Sequence, residues 1–226
     1  MGLFYRFLLG HLLGDFVFQG EWLFKLRSKY LARIYHGLIV GFITLVFTLP
    51  YFEIARTSRL LLVLGYITLA HIVIDLAKAY ITLKLGYDSI LFFLVDQALH
   101  LASIYIGYRI YPGLSYDENV NVVVLLCWVI GVMWATPIFL YFLDNAFRKS
   151  RVSPYEYYKE HHHGFGLWER GTLFLALALG GRWFWLLPLG ILPRVFILLN
   201  SKSEKIPIWD WIGAVLLALV YRATLI

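Results

Sequence analysis

Three histidine–aspartate pairs recur in this sequence at one spacing: His11 with Asp15, His71 with Asp75, and Asp96 with His100. On a helix, residues four apart project from one face about one turn from each other. Carboxylate oxygens and imidazole nitrogens are ordinary ligands for Zn, Mn, Fe and related divalent ions. Helical bundles build metal sites from ligands paired at such spacings. His11, Asp15, His71, Asp75, Asp96 and His100 are therefore candidate ligands of one or two divalent metal ions, with His36 a further candidate. A carboxylate left outside the coordination sphere can act as a general base, which makes Asp15, Asp75 and Asp96 catalytic candidates as well. Gln19, Lys78 and Gln97 surround the set. Gln19 continues the His11–Asp15 face and can orient a ligand. Lys78 follows Asp75 by three residues and either pairs with it or meets an anionic substrate group.

The elements that carry these residues are strongly apolar. The chain has 226 residues, 61% of them of the AVILMFWYC set and only 15% charged, with a mean hydropathy of +0.72. Soluble domains run near 45–50% apolar and about 25% charged, so this composition implies an all-α, polytopic transmembrane helix bundle and excludes disorder, a collagen-like chain and a disulfide scaffold. The one cysteine, Cys127, lies in an apolar run and cannot anchor a thiolate cluster. With a crossing needing about 20 apolar residues, spans are expected near 3–24, 34–52, 60–84, 89–111 and 120–143. A polar stretch, 144–163, follows. The apolar region 165–199 is interrupted by Gly180-Gly181-Arg182 and is either one span or two shorter helices; Pro188 and Pro193 also break it. A final segment covers 207–224. The total is about 6–8 membrane helices, organised as a five-span bundle (1–143), a polar cytoplasmic loop (144–163) and C-terminal membrane helices (164–226).

A net charge of +6 would raise nucleic acid as a partner of a soluble protein. Here the basic residues gather in short loops, as cytoplasmic loops do, so the expected partner is the lipid bilayer and no nucleic acid. Lys25, Arg27, Lys29 and Arg33 follow the first span, and Arg148, Lys149, Arg151 and Lys159 follow the fifth. This places those loops inside and the N-terminus outside, in a multi-pass protein of the inner (cytoplasmic) membrane. The first segment carries His11 and Asp15 and lacks a basic leader and a small-residue cleavage site, so it reads as a retained span.

With that topology the order within each pair carries information. Spans one and three run inward and read His then Asp; span four runs outward and reads Asp then His. All three histidines then lie in one layer near mid-bilayer and all three aspartates one turn nearer the cytoplasm. Ionisable residues inside a span cost about 2.5–3.5 kcal/mol each, so three unpaired carboxylates cost on the order of 9 kcal/mol. Buried charges persist when paired or when binding metal.

Blander roles compete at several positions. A lone intramembrane histidine is commonly an interhelical hydrogen-bond partner, and His36 is also read as interfacial. His161-His162-His163 sits in the polar loop beside Lys159 and Glu160 and reads as solvated. Trp183-Phe184-Trp185, and Trp209 with Trp211, read as interface anchors. Glu169 and Arg170 read as an interhelical ion pair, with Arg194 or Asp210 as further partner. No phosphate-binding glycine loop, nucleophile elbow or H-E-x-x-H occurs.

The pattern His11-x-x-x-Asp15-Phe-x-x-Gln19, Lys29, His36, His71-x-x-x-Asp75-x-x-Lys78 and Asp96-Gln97-x-x-His100 resembles the uncharacterised bacterial membrane family called domain of unknown function 3307. Gly164-x-Gly166-Leu-Trp-Glu169-Arg170, Arg194 and Trp211-Ile-Gly213 are similar to its C-terminal elements. The resemblance implies an integral membrane protein and supplies no reaction. More distantly, the His/Asp-bearing spans are reminiscent of inner-membrane proteins regarded as metal-dependent hydrolases, a likeness of fold alone. Three functions fit: a metal-dependent hydrolase acting on an amphipathic or lipid-linked substrate, a proton- or ion-coupled transporter, and a non-catalytic scaffold with a metal-stapled core.

Overall fold

A computed structural model describes residues 1–18, 30–52, 57–85, 89–111, 119–148, 165–200 and 208–224. Among them every regular element is helical and no strand occurs. In order these are α1 (Gly2–Leu12), continued by a π-helical turn Leu13–Val17; α2 (Tyr30–Thr48), ending in a 3-10 turn Leu49–Tyr51; α3 (Thr57–Leu85); α4 (Ile90–Ile110); α5 (Val120–Ile130), joined by a π turn Gly131–Ala135 to α6 (Thr136–Arg148); α7 (Phe165–Leu179); a 3-10 turn Gly181–Trp185 leading into α8 (Leu186–Asn200); and α9 (Ile208–Thr224). Four helical runs, Tyr30–Tyr51, Ser58–Leu85, Ile90–Ile110 and Val120–Ala146, are long and apolar enough to cross a membrane. Apolar side chains such as Phe42, Leu62, Leu69 and Leu91 stand well exposed on them, as a lipid-facing surface requires. The described helix of the first segment, α1 and its π turn, is shorter than a crossing.

The chain divides into two compact units, Met1–Cys127 and Trp128–Ile226. In the first, the inward stripes of the helices change from apolar to polar in register. On α1 the stripe runs Leu3, Phe7, His11 and then Asp15; on α3 it runs Leu60, Leu64, Ile67, His71, Asp75. All of these side chains are buried. The apolar ends form a core with Val63, Ile104 and Tyr51. The polar ends form the site described below. The helices approach closely because small residues face each neighbour: a Cβ at Gly10 would stand 2.5 Å from Thr44 Cα, one at Gly14 2.6 Å from Val40 Cγ2, and one at Gly41 2.4 Å from Thr68 Oγ1. Small residues four apart are what lets membrane helices pack backbone to backbone. Thr44 and Thr48, buried in this seam, donate to the carbonyls of Val40 (2.8 Å) and Thr44 (3.0 Å) within α2, so their hydroxyls need no partner across it.

In the second unit α7 and α8 form an antiparallel hairpin. The region 165–199 is thus two helices, and the break falls at Gly180 and Gly181, whose φ values of +62° and +54° lie where glycine is favoured. Pro188 and Pro193 do not interrupt α8. Pro188 sits in its first turn, where the missing N–H has no intrahelical acceptor to satisfy. Pro193 leaves the carbonyl of Leu189 without its usual donor, and Trp168 Nε1 supplies one at 2.8 Å. Pro137 does the same to Met133, whose carbonyl accepts from Arg170 Nη2 at 3.0 Å.

Candidate metal centre

His11 and Asp15 come from α1 and its π turn, Arg33 and His36 from α2, His71, Asp75 and Lys78 from α3, and Asp96, Gln97 and His100 from α4. The four imidazoles pack together, with ring centroids 5.4 Å (His11–His71), 5.0 Å (His11–His100), 4.2 Å (His71–His100) and 5.3 Å (His36–His71) apart. All seven candidate ligands are buried, His11, His36, His71 and His100 to within 2% of complete burial. The π turn, a feature frequent at functional sites, carries Asp15.

The donors fall into three groups whose ligand atoms lie within 4.8 Å of one another: His11, His71 and His100; Asp15, His36 and His71; Asp75, Asp96 and His100. The aspartates do not form a group of their own. Asp15 Oδ1 lies 3.0 Å from His36 Nε2 and 3.3 Å from His71 Nε2, while Asp15 Oδ2 is 3.7 Å from His11 Nε2. His100 Nε2 lies 3.4 Å from Asp75 Oδ1 and 3.5 Å from Asp96 Oδ1. Of these contacts only His36–Asp15 is a hydrogen bond. His71 Nε2, both nitrogens of His100, His36 Nδ1, Asp96 Oδ1 and Arg33 Nε are buried and find no hydrogen-bond partner among the described residues. Each such atom costs about 1–3 kcal/mol if left unsatisfied. Two ligands bonded at about 2.1 Å to a tetrahedral ion stand about 3.4 Å apart. The 3.3–3.5 Å contacts of His71 and His100 match that edge, and buried His/Asp groups of this kind could hold a metal ion.

Two cations flank the carboxylates. Lys78 Nζ donates to Asp96 Oδ2 at 3.1 Å, so Lys78 pairs across to α4 and not with Asp75 on its own helix. Gln97 Nε2 reaches the same oxygen at 3.2 Å. Arg33, counted above among the loop residues, is instead buried on α2 with Nη1 3.5 Å from Asp75 Oδ2. Its spacing of three from His36 was the available signal, since it puts both on one face. Gln19, Lys29 and His161-His162-His163 lie outside the described residues.

The second unit holds a separate polar cluster with no histidine. Glu169 Oε1 accepts from Arg194 Nε at 2.8 Å, and Glu169 Oε2 from Trp211 Nε1 at 3.2 Å. The ion pair expected of Glu169 therefore forms with Arg194; the Asp210 side chain lies outside the described residues. Trp211 acts as a hydrogen-bond donor to this pair, whereas Trp209 is exposed.

No curated protein and no solved structure matches the chain. Residues 3–138, a stretch that holds every donor of the His/Asp centre, match the family described as protein of unknown function (DUF3307), and the chain belongs to that family.

Proposed function

We propose that this chain is a metal-dependent hydrolase of the inner membrane, holding divalent metal (Zn, Mn or Fe) among His11, Asp15, His36, His71, Asp75, Asp96 and His100. The observation that carries this reading is the set of buried, unpartnered imidazole and carboxylate atoms standing at coordination-edge separations rather than in hydrogen bonds. Such an ion supplies Lewis acidity and makes a coordinated water acidic enough to ionise near neutral pH. The protein's part is to fix the donors, exclude bulk water and take the proton. Asp15, Asp75 and Asp96 are the carboxylates available to take that proton; Asp96 Oδ2 is held by Lys78 and Gln97, while its Oδ1 makes no hydrogen bond among the described residues. Three of the four helices that carry the centre are long enough to cross a bilayer, which favours an amphipathic or lipid-linked substrate entering from the membrane. The N-terminus is assigned to the outside on the charge of the loops.

Elemental analysis of detergent-purified protein tests this. Wild type should carry stoichiometric transition metal and Asp15→Asn should carry less; metal-free wild type refutes the proposal. Metal-loaded protein should then hydrolyse a lipid-linked phosphoester or ester in micelles, and Asp96→Asn should lose turnover. A metal staple is the competing reading, favoured by the joining of four helices at one point. It requires ligand variants to melt early and wild type to turn nothing over, because catalytic groups are commonly not optimised for stability.

A further inference from the structure

The donors are too dispersed for one ion. Ligands of a single ion bonded at about 2.1 Å lie within about 4.2 Å of one another. His36 and Asp96 share none of the three groups of mutually close donors, so no one group offers both to the same ion. Two of the groups, Asp15/His36/His71 and Asp75/Asp96/His100, have no member in common. Asp75 faces both. Its Oδ1 lies 3.4 Å from His100 Nε2 in the second group, and its Oδ2 lies 3.9 Å from His36 Nε2 and 3.9 Å from His71 Nε2 in the first. The two groups meet where the rings of His71 and His100 stack at 4.2 Å, and paired metal ions in two-metal sites stand about 3.5–4 Å apart.

Resting on the metal reading above, we propose that the centre takes two divalent cations, one held by Asp15, His36 and His71, the other by Asp96 and His100, with the Asp75 carboxylate bridging them. His11 closes the pair on the side of the apolar core, within reach of both His71 and His100. Arg33 Nη1, 3.5 Å from Asp75 Oδ2, positions the bridge from outside, as partners of metal ligands commonly do. Two dications beside Arg33 and Lys78 outweigh the three carboxylates. The loaded centre is therefore net positive and takes an anionic group of the substrate.

The full-length protein, stripped and reloaded with Mn(II), tests this by elemental analysis and electron paramagnetic resonance. Wild type should bind two Mn(II) per chain and give an exchange-coupled signal. His36→Ala and Asp96→Asn should each fall to one ion per chain with the spectrum of isolated Mn(II). Inorganic phosphate should perturb the coupled signal. Saturation at one uncoupled ion in wild type overturns the two-ion proposal while leaving the metal reading intact; no binding at all removes both. A coupled signal indifferent to phosphate removes the anionic substrate group. The wild-type spectrum decides between one ion and two even where a variant fails to fold.

Discussion

Replacing Gly10 by alanine tests whether helix packing holds the donors in place without touching any of them. The added Cβ would stand 2.5 Å from Thr44 Cα, 2.6 Å from its Oγ1 and 2.9 Å from its Cβ, where ordinary contact begins at 3.4 Å. The nearest of these atoms is backbone, so no rotamer change relieves it. The difference between 3.4 and 2.5 Å obliges α1 and α2 to part by about 0.9 Å. The same two helices deliver Asp15 and His36, whose oxygen and nitrogen lie 3.0 Å apart. Metal sites tolerate about 0.2 Å in a ligand distance, so even half of that displacement exceeds the tolerance. We expect metal affinity to fall roughly 10–100-fold, the range seen when the support of ligands is disturbed, with a stability loss of about 1–3 kcal/mol from overpacking. The control is Gly65→Ala on α3, where a Cβ meets nothing within 4 Å. It should keep full affinity and gain up to about 1 kcal/mol from the better helix propensity of alanine. Chelator competition on detergent-solubilised protein gives the affinities and thermal melting gives the stabilities. A folded Gly10→Ala protein that binds metal within twofold of wild type would refute the reasoning, as would an equal loss in Gly65→Ala.

Metal removal should lower the melting temperature of the wild type, since a ligand at a hundred times its dissociation constant stabilises the folded state by about 2.7 kcal/mol; melting with and without chelator checks this, and Asp15→Asn should show a smaller difference. Arg33→Met leaves Asp75 without its arginine neighbour, so its melting deficit should be larger in chelator than with metal, where a cation still offsets that carboxylate; equal deficits would separate Arg33 from the metal centre. Glu169→Gln removes the carboxylate beside Arg194 and should cost on the order of 3–5 kcal/mol, the range for breaking one side of a buried ion pair, while metal per folded chain, by elemental analysis, stays at the wild-type value.

Much of the centre was legible because one period and the direction of each helix governed it. A spacing of four places His11 with Asp15 and His71 with Asp75, and the reversed order of Asp96 and His100 follows from the reversed direction of α4. Arg33 was missed for a local reason: it borders an apolar segment among other basic residues, and loop counting, which treats all of them alike, outweighed its spacing of three from His36. The partner of Lys78 could not be read either, because Asp75 and Asp96 are both within reach of a long side chain and only the packing of α3 on α4 decides. The prolines misled for a different reason. Sequence rules treat proline as a break, but Pro188 falls in the first turn of α8 and Trp168 donates to the carbonyl that Pro193 leaves vacant, and the helix continues. The seam of glycines against Thr44, Val40 and Thr68 shows in the sequence as small residues four apart, though its partners emerge only with the fold.

The glycine pair at Gly180 and Gly181 bears on an experiment of another kind. A stretch that doubles back on itself, whether it dips into the bilayer or traverses it twice, returns to the compartment it left. It adds an even number of crossings and is silent in any inside–outside tally. Cysteine-labelling reporters placed just before Phe165 and just after Asn200 must therefore be reached by the same membrane-impermeant reagent.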